Sequence, residues 1–304
     1  MNEPNAGSSI RQPATEREDH RGAATEVGSL SVLFQGKTMT VTRNRSWFEL
    51  ALHRAPINEI GTETLTDLEH ALDKIQLALN TEPGTPVIVY SSLDRGFCAG
   101  ADLRELHARL VKERNKGTAE EELRRNLADF IDRIHHAFNL LDQFPCTTIA
   151  ALHGFCFGGG WELALTCDLL VADRSTRFCF PELRLGIIPG FGGIPRLRRD
   201  LGNAVLRDII LTGRSLSAKR SFEAGLASQL TGRGKALEVA RTLAEQVAKL
   251  PPSASIQAKR FLKPLPRQEL EEEKTLFLDQ ILHPNVQSAL SAFVDRSDPL
   301  PYIG

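Results

Sequence analysis

Strands alternating with helices predict an α/β protein built around parallel strands. Three observations carry that prediction. Two short apolar runs, Val87–Tyr90 and Thr147–Leu152, read as strands buried on both faces. Two helical patterns accompany them. Residues 62–80 place Leu65, Leu68, Leu72, Ile75 and Leu79 three or four apart. Leu123, Leu127, Phe130, Ile131, Ile134, Phe138 and Leu141 make a second stripe. A strand, a glycine turn and a helix then recur over Gly154–Thr166, followed by a strand at Asp168–Ala172. Such alternation indicates βαβ units with right-handed crossovers.

Taken in order, Ser31–Phe34 and Trp47–His53 read as the first strands, and Pro56 and Asn58 turn the chain. The helix over 62–80 ends at Pro83-Gly84. A small-residue turn spans Gly96–Ala101. Residues 104–122 are highly charged and contain Gly117, which suits a loop or a short solvated helix. From about residue 202 the patterns are helical, with no convincing strand. Residues 235–249 form one helix, stopped by Pro251-Pro252. Another covers 270–282, with Glu271, Glu272 and Glu273 in its first turn, where the helix dipole favours acids. The expected organisation is a disordered tail over 1–28, poor in large apolar residues, a core over 29–225, and a helical region over 226–304 suited to assembly.

The 304 residues suffice for one large domain, and 41% hydrophobic with 25% charged residues is ordinary for a soluble protein. A net charge of −1 gives no reason to expect nucleic acid or an acidic membrane as partner. Arg196, Arg198 and Arg199 form a local basic cluster, read as a solvated surface or an anionic-cofactor patch. Five cysteines, Cys98, Cys146, Cys156, Cys167 and Cys179, have no metal-ligand spacing and lie among apolar or small residues. They are expected to be buried free thiols in a reducing compartment. No apolar run reaches the roughly 18 residues that span a bilayer. Glu3, Glu16, Glu18 and Asp19 argue against a transit peptide, so a cytoplasmic location is expected.

The chemistry-bearing residues cluster at three turns. Gly158-Gly159-Gly160 follows a strand and opens a helix. Glycine permits close ligand approach, and the first helical N–H groups lack internal partners and carry partial positive charge. An enolate oxygen, a thioester carbonyl or a phosphate fits that environment. No Lys-Ser/Thr follows the glycines, which disfavours a P-loop. Glu162 lies three residues beyond Gly159, about one helical turn, so its carboxylate can approach a ligand held there. Glu182 follows Pro181 on a later segment. Taken singly, Glu162 also fits a dipole-stabilising acid, and Glu182 a surface acid paired with Arg184. A second small-residue turn lies upstream in Phe97-Cys-Ala-Gly-Ala-Asp-Leu.

As an ordered set, these stretches resemble the crotonase superfamily of enoyl-CoA hydratases and isomerases. The likeness adds Ala55-Pro-Ile-Asn, Phe180-Pro-Glu-Leu-Arg-Leu-Gly-Ile-Ile-Pro-Gly-Phe-Gly-Gly, Leu211-Thr-Gly-Arg-Ser-Leu-Ser-Ala, Ala224-Gly-Leu-Ala and a closing Ala292-Phe-Val-Asp-Arg. It runs from about residue 30 to 302. The resemblance implies a crotonase-type spiral of ββα and βαβ units with a C-terminal α-helical trimerisation region, assembled as a homotrimer or hexamer. It implies an oxyanion hole from the N–H groups of Ala101 and Gly159. Glu162 would activate water for attack at the β-carbon, and Glu182 would protonate the α-carbon. Joint presence of both acids favours hydration of a 2-enoyl-CoA, or its reverse, over plain isomerisation.

By the same likeness, Ala99, Gly100, Asp102, Leu103, Arg104, Gly158, Trp161, Phe180 and Pro181 would contact the acyl-CoA. Arg104 would meet a CoA phosphate, with Lys259, Arg260 and Lys263 as weaker candidates. No cofactor is implied beyond coenzyme A carried by the substrate; an acyl-carrier-protein thioester is the alternative. The chain departs from the family's common pattern at Trp161, Phe180 and Ile194-Pro195. These residues bear on the acyl pocket and on how water is held, and Trp161 equally suits core packing. The departures keep isomerisation, decarboxylation or C–C cleavage of a thioester as alternatives. A non-catalytic or RNA-binding member is the third reading, disfavoured by the near-neutral charge and the intact acid pair.

Overall fold

A computed structural model describes residues 31–295; the expected tail lies outside the described residues. The chain opens with β1 (Ser31–Gln35), β2 (Met39–Arg43) and β3 (Phe48–Leu52), then α1 (Thr62–Thr81). Three similar units follow. The first is β4 (Val87–Ser91), β5 (Gly96–Cys98), α2 (Leu103–Asn115) and α3 (Glu120–Asp142). The second is β6 (Thr148–Leu152), β7 (Phe155–Phe157) and α4 (Gly159–Ala164). The third is β8 (Leu169–Asp173), β9 (Arg177–Cys179), a 3-10 turn (Pro181–Leu185) and α5 (Gly193–Asp200). The remainder is α6 (Asn203–Thr212), β10 (Leu216–Ser217), α7 (Ala218–Glu223), β11 (Gln229–Thr231), α8 (Ala236–Val247), α9 (Pro252–Leu262), α10 (Arg267–Ile281) and α11 (Pro284–Val294).

Each unit lays its first strand in a large sheet and its second in a small one. The large sheet runs β1-β2-β3-β4-β6-β8-β11, parallel from β3 onward; the small sheet runs β10-β9-β7-β5, with β5, β7 and β9 parallel. Because β5, β7 and β9 are neighbours pointing the same way, the residues that leave them emerge side by side. Those residues are 99–102, 158–162 and 180–182. Crevices beyond the carboxyl ends of parallel strands are the usual ligand position of such sheets.

One core cluster joins α1, α3 and the inner strand faces. On the opposite face of the large sheet, α8 closes through Ala236, Ala240 and Ala244 on Ile88, Ile149 and Val171. Alanines four apart present a flat stripe that lets the helix approach the strands closely.

Several expectations are corrected. Of the two readings of residues 104–122, the helix holds and the loop does not: α2 and the start of α3 cover most of them, joined at Gly117, whose φ of 76° suits glycine. Only Leu110 of α2 is fully buried, so charge on the other faces hides its pattern. The turn expected at 96–101 begins as strand β5. Strands do occur after residue 202, but β10 and β11 have two and three residues, too few to show a period. The Pro251-Pro252 pair both stops α8 and starts α9, proline being tolerated in a first turn. Helix α10 begins at Arg267, so its first-turn acid is Glu269, and Glu273 lies further along.

Candidate active site

The three parallel strand ends open onto a cavity of about 1080 Å³, its mouth included. Ala99, Gly100, Ala101, Asp102 and Leu103 line it from the first end, Gly158, Gly159 and Glu162 from the second, and Pro181 and Glu182 from the third. The rest of the wall is largely apolar, including Leu106, Leu127, Phe130, Ile131, Leu185 and Phe277.

The two small-residue turns press together. A Cβ added at Gly100 would lie 3.1 Å from the Gly159 nitrogen, and one added at Gly159 would lie 3.4 Å from the Ala101 nitrogen. The bridge between Ile60 and Ala101 uses the N–H groups of Ile60 and Asp102, at 2.7 and 3.0 Å, and leaves that of Ala101 turned away. Gly159 opens α4, so its N–H lacks an intrahelical acceptor. Two adjacent outward donors result. The first turn is braced from behind by Asn58, at φ 54°, whose side-chain amide donates to Ser91 Oγ and Phe97 O at 2.8 Å each.

The two glutamates sit in different surroundings. Glu162, 1% exposed, accepts the N–H groups of Phe191 and Gly193 on Oε1, both at 2.8 Å. Burial pushes its carboxyl up to about 7, against the pull of those N–H groups and of Arg196. Glu182 packs against Gly158, where a Cβ would fall 2.3 Å from Glu182 Oε1, and its Oε2 is shut from solvent with no partner among the described residues. Burial first, and the Glu162 charge second, hold its carboxyl well above the usual carboxylate range. Two nearby acids with unequal support favour one charged and one neutral carboxyl, a division suited to a base and an acid.

Of the other expected residues, Trp161, Phe180 and Arg104 do not line the cavity. Trp161 and Phe180 are fully buried and stacked, with centroids 4.4 Å apart and planes at 18°. They form a rigid floor behind Glu162 rather than lining the cavity, and the Trp161 indole nitrogen lacks a partner among the described residues. Asp102 lines the wall, but its carboxylate caps α2 through Glu105 N at 2.9 Å and pairs with Arg54 at 2.6 Å. Arg104 lies over the Phe293 ring at 5.5 Å and 3.8 Å from Glu59, partly exposed at the site's edge. Its neighbour His107 meets Ser291 Oγ at 2.9 Å.

The basic cluster is corrected in part: Arg198 is exposed, as expected, while Arg196 and Arg199 turn inward. Arg196 is fully buried, its Nε 2.8 Å from Asp142 and its Nη1 donating to the carbonyls of Phe191 and Gly192 at 3.2 Å. Arg199 joins the same carboxylate at 3.2 Å. Lys263 reaches Asp142 and Asp168 at 3.3 and 3.1 Å, and Lys259 reaches Asp168 at 2.9 Å. These four cations brace the interior through carboxylates and do not line the cavity; Arg260, the remaining candidate, is exposed. All five cysteines are buried and free. Burial pushes the Cys98, Cys146 and Cys167 thiols up to about 12, which keeps them protonated and unreactive.

Sequence reasoning missed the segment that holds Glu162. Residues 190–194 lead into α5 and open it, beside α3 and α10. The Gly190 carbonyl faces His135 Nε2 at 3.0 Å; a carbonyl only accepts, so that nitrogen carries the proton. Burial pushes this imidazole down to about 4, so it is neutral near pH 7. The glycines at 190, 192 and 193 were the available signal, since each added Cβ would meet a neighbour within 2.9 Å.

Known proteins agree with this architecture. The family model described as enoyl-CoA hydratase/isomerase matches residues 42–300. The chain is 32% identical over 266 residues to the 2,3-dehydroadipyl-CoA hydratase of Escherichia coli (strain K12), covering 86% of this chain and 97% of that protein. It is 29% identical over 272 residues to the carnitinyl-CoA dehydratase of Proteus mirabilis (strain HI4320), covering 86% and 97%. The enoyl-CoA hydratase of Bacillus anthracis matches with a TM-score of 0.61 at 29% identity, over 87% of this chain and 95% of that one. The enoyl-CoA hydratase of Bacillus halodurans shares the fold, with a TM-score of 0.72 at 20% identity over 84% and 99%. With strand order, turn geometry and relatives in accord, the chain belongs to the enoyl-CoA hydratase/isomerase family, the crotonases.

Proposed function

We propose that the chain is an enoyl-CoA hydratase, adding water across the double bond of a 2-enoyl-CoA to give the 3-hydroxyacyl-CoA, and catalysing the reverse dehydration. The observation that carries this reading is the unlike pair, Glu162 and Glu182, on one cavity with the Ala101 and Gly159 N–H groups. The thioester oxygen sits on those two donors. Glu162, ionised and held through Oε1, uses Oε2 to take a proton from water as the water oxygen attacks the β-carbon. The double-bond electrons move to the thioester oxygen, where the two N–H groups stabilise the enolate; one such donor is typically worth about 3–4 kcal/mol in the transition state. Glu182, neutral, passes its proton to the α-carbon as the enolate collapses. The proton taken by Glu162 then returns to Glu182, restoring both groups.

The apolar wall suits a hydrocarbon acyl chain, and Arg104 suits the CoA phosphates. The exposed side chains of Leu250, Phe261 and Leu262, at 54%, 86% and 75%, suit association of copies of the chain as a trimer or hexamer, which light scattering would read. Five free thiols suit a reducing compartment such as the cytoplasm. Purified protein should convert crotonyl-CoA or a longer 2-enoyl-CoA to a product heavier by one water. Products of unchanged mass, or no turnover across a chain-length series, would reject the hydratase assignment.

A further inference from the structure

Residues 191–194 carry four successive N–H groups, and two buried carboxylates divide them alternately. Glu162 accepts those of Phe191 and Gly193. Glu273, from α10, accepts that of Gly192 on Oε1 at 2.6 Å and that of Ile194 on Oε2 at 2.8 Å. Glu273 is 4% exposed. One turn along α10, Phe277 packs on the same segment, where a Cβ at Gly190 would lie 2.6 Å from its ring. So α10 grips one side of a short stretch of backbone whose other side grips Glu162. A buried acid at such a place is costly, and neither the water step nor the proton step uses it.

We propose that Glu273 is a positioning residue for Glu162: it fixes the 191–194 backbone so that the Phe191 and Gly193 N–H groups meet Glu162 Oε1 and aim Oε2 at the reactant. The inference rests on the reading of Glu162 as the group that deprotonates water. Its physical content is that these four N–H groups belong to one tight turn, the left-handed Gly192 cap (φ 99°) and the first residues of α5, so they move together. Fixing two of them fixes the other two. The charged and titratable groups around the pair are Arg196 from α5, Glu182 from the 3-10 turn, and His135 and Asp142 from α3.

Glu273→Leu removes both acceptors, and Glu273→Gln keeps one in nearly the same shape. Kinetics on a 2-enoyl-CoA across pH tests the idea. Glu273→Leu is expected to lower kcat by about 10- to 100-fold, the cost of misplacing a catalytic group by about an ångström, with KM changed less than about three-fold. The acidic limb of the kcat profile is expected to move to higher pH, because Glu162 loses the two N–H groups that favour its charged form. Glu273→Gln should move the same way by less, and it serves alone should the leucine variant fail to fold. An unmoved limb would make Glu273 merely structural. A limb displaced to lower pH would mean that its charge, not its hold on the backbone, is what Glu162 feels; either result overturns the proposal. Titration of the Glu162 carboxyl by carbon-13 NMR, assigned by its loss in Glu162→Gln, reads the same displacement without turnover. A wild type that hydrates nothing would thus reject the proposed function while leaving the positioning test intact.

Discussion

Glu162→Gln separates function from stability with opposite signs. The folded protein holds the Glu162 proton up to about 7, whereas an ordinary glutamate releases it near 4.5. Stability from this group is therefore complete below about 4.5 and is lost as pH rises through about 7. At about 1.4 kcal/mol per pH unit, the loss approaches about 3 kcal/mol above pH 7. Glutamine has no proton to release, and its carbonyl oxygen still accepts the Phe191 and Gly193 N–H groups. The variant should match the wild type near pH 4.5 and exceed it by up to about 3 kcal/mol at pH 8. For a chain of this size that is roughly 2–4 °C in Tm per kcal/mol. Hydration should fall by about 10²–10⁴-fold, since the base is gone. Thermal unfolding at equal protein concentration, at pH 5 and pH 8, reads the difference. A variant that is equally or less stable than wild type at both pH values would show that Glu162 ionises like a surface acid, and the reasoning about its burial would fail.

Three further outcomes are expected. Glu182→Gln should lower kcat by about 10²–10⁴-fold with little change in KM, because it removes the proton donor and not the cavity wall; steady-state kinetics decides. Gly158→Ala should lose activity sharply, since φ is 46° and the new methyl would meet Glu182 Oε1 at 2.3 Å; kcat together with a circular-dichroism spectrum distinguishes a displaced acid from an unfolded chain. Arg196→Met should destabilise the fold by about 3–5 kcal/mol, because Asp142 is left buried with one partner fewer; urea unfolding measures it.

The parallel strands and the long helices were legible because both leave a period in the sequence. The apolar run at Val87–Tyr90 and the stripe from Leu123 to Leu141 fall within β4 and α3. Of the strands that build the small sheet, the one before Gly158 was read as a strand and is Phe155–Phe157. Gly96–Cys98 was read as a turn and Arg177–Cys179 was not read, because each is only three residues and becomes a strand only by pairing with its neighbours. The site was legible where chemistry needs special backbone, at the glycines around Ala101 and Gly159. Arg196 was misread because a run of arginines resembles a surface, and only the fold supplies Asp142, 54 residues away, to draw it inside. Glu273 was misread for a like reason. In sequence it is the third of three acids near a helix start, while its partners, Gly192 and Ile194, lie 81 and 79 residues earlier.

Product analysis in heavy-oxygen water separates hydration by Glu162 and Glu182 from the other thioester reactions at a single atom. Wild type, Glu162→Gln and Glu182→Gln are incubated with a series of 2-enoyl-CoA thioesters, and the products are weighed by mass spectrometry. Wild type is expected to place one labelled oxygen at the β-carbon, and each variant to form that product far more slowly. Full incorporation by both variants, or a wild-type product without the label, would contradict hydration by this pair of glutamates.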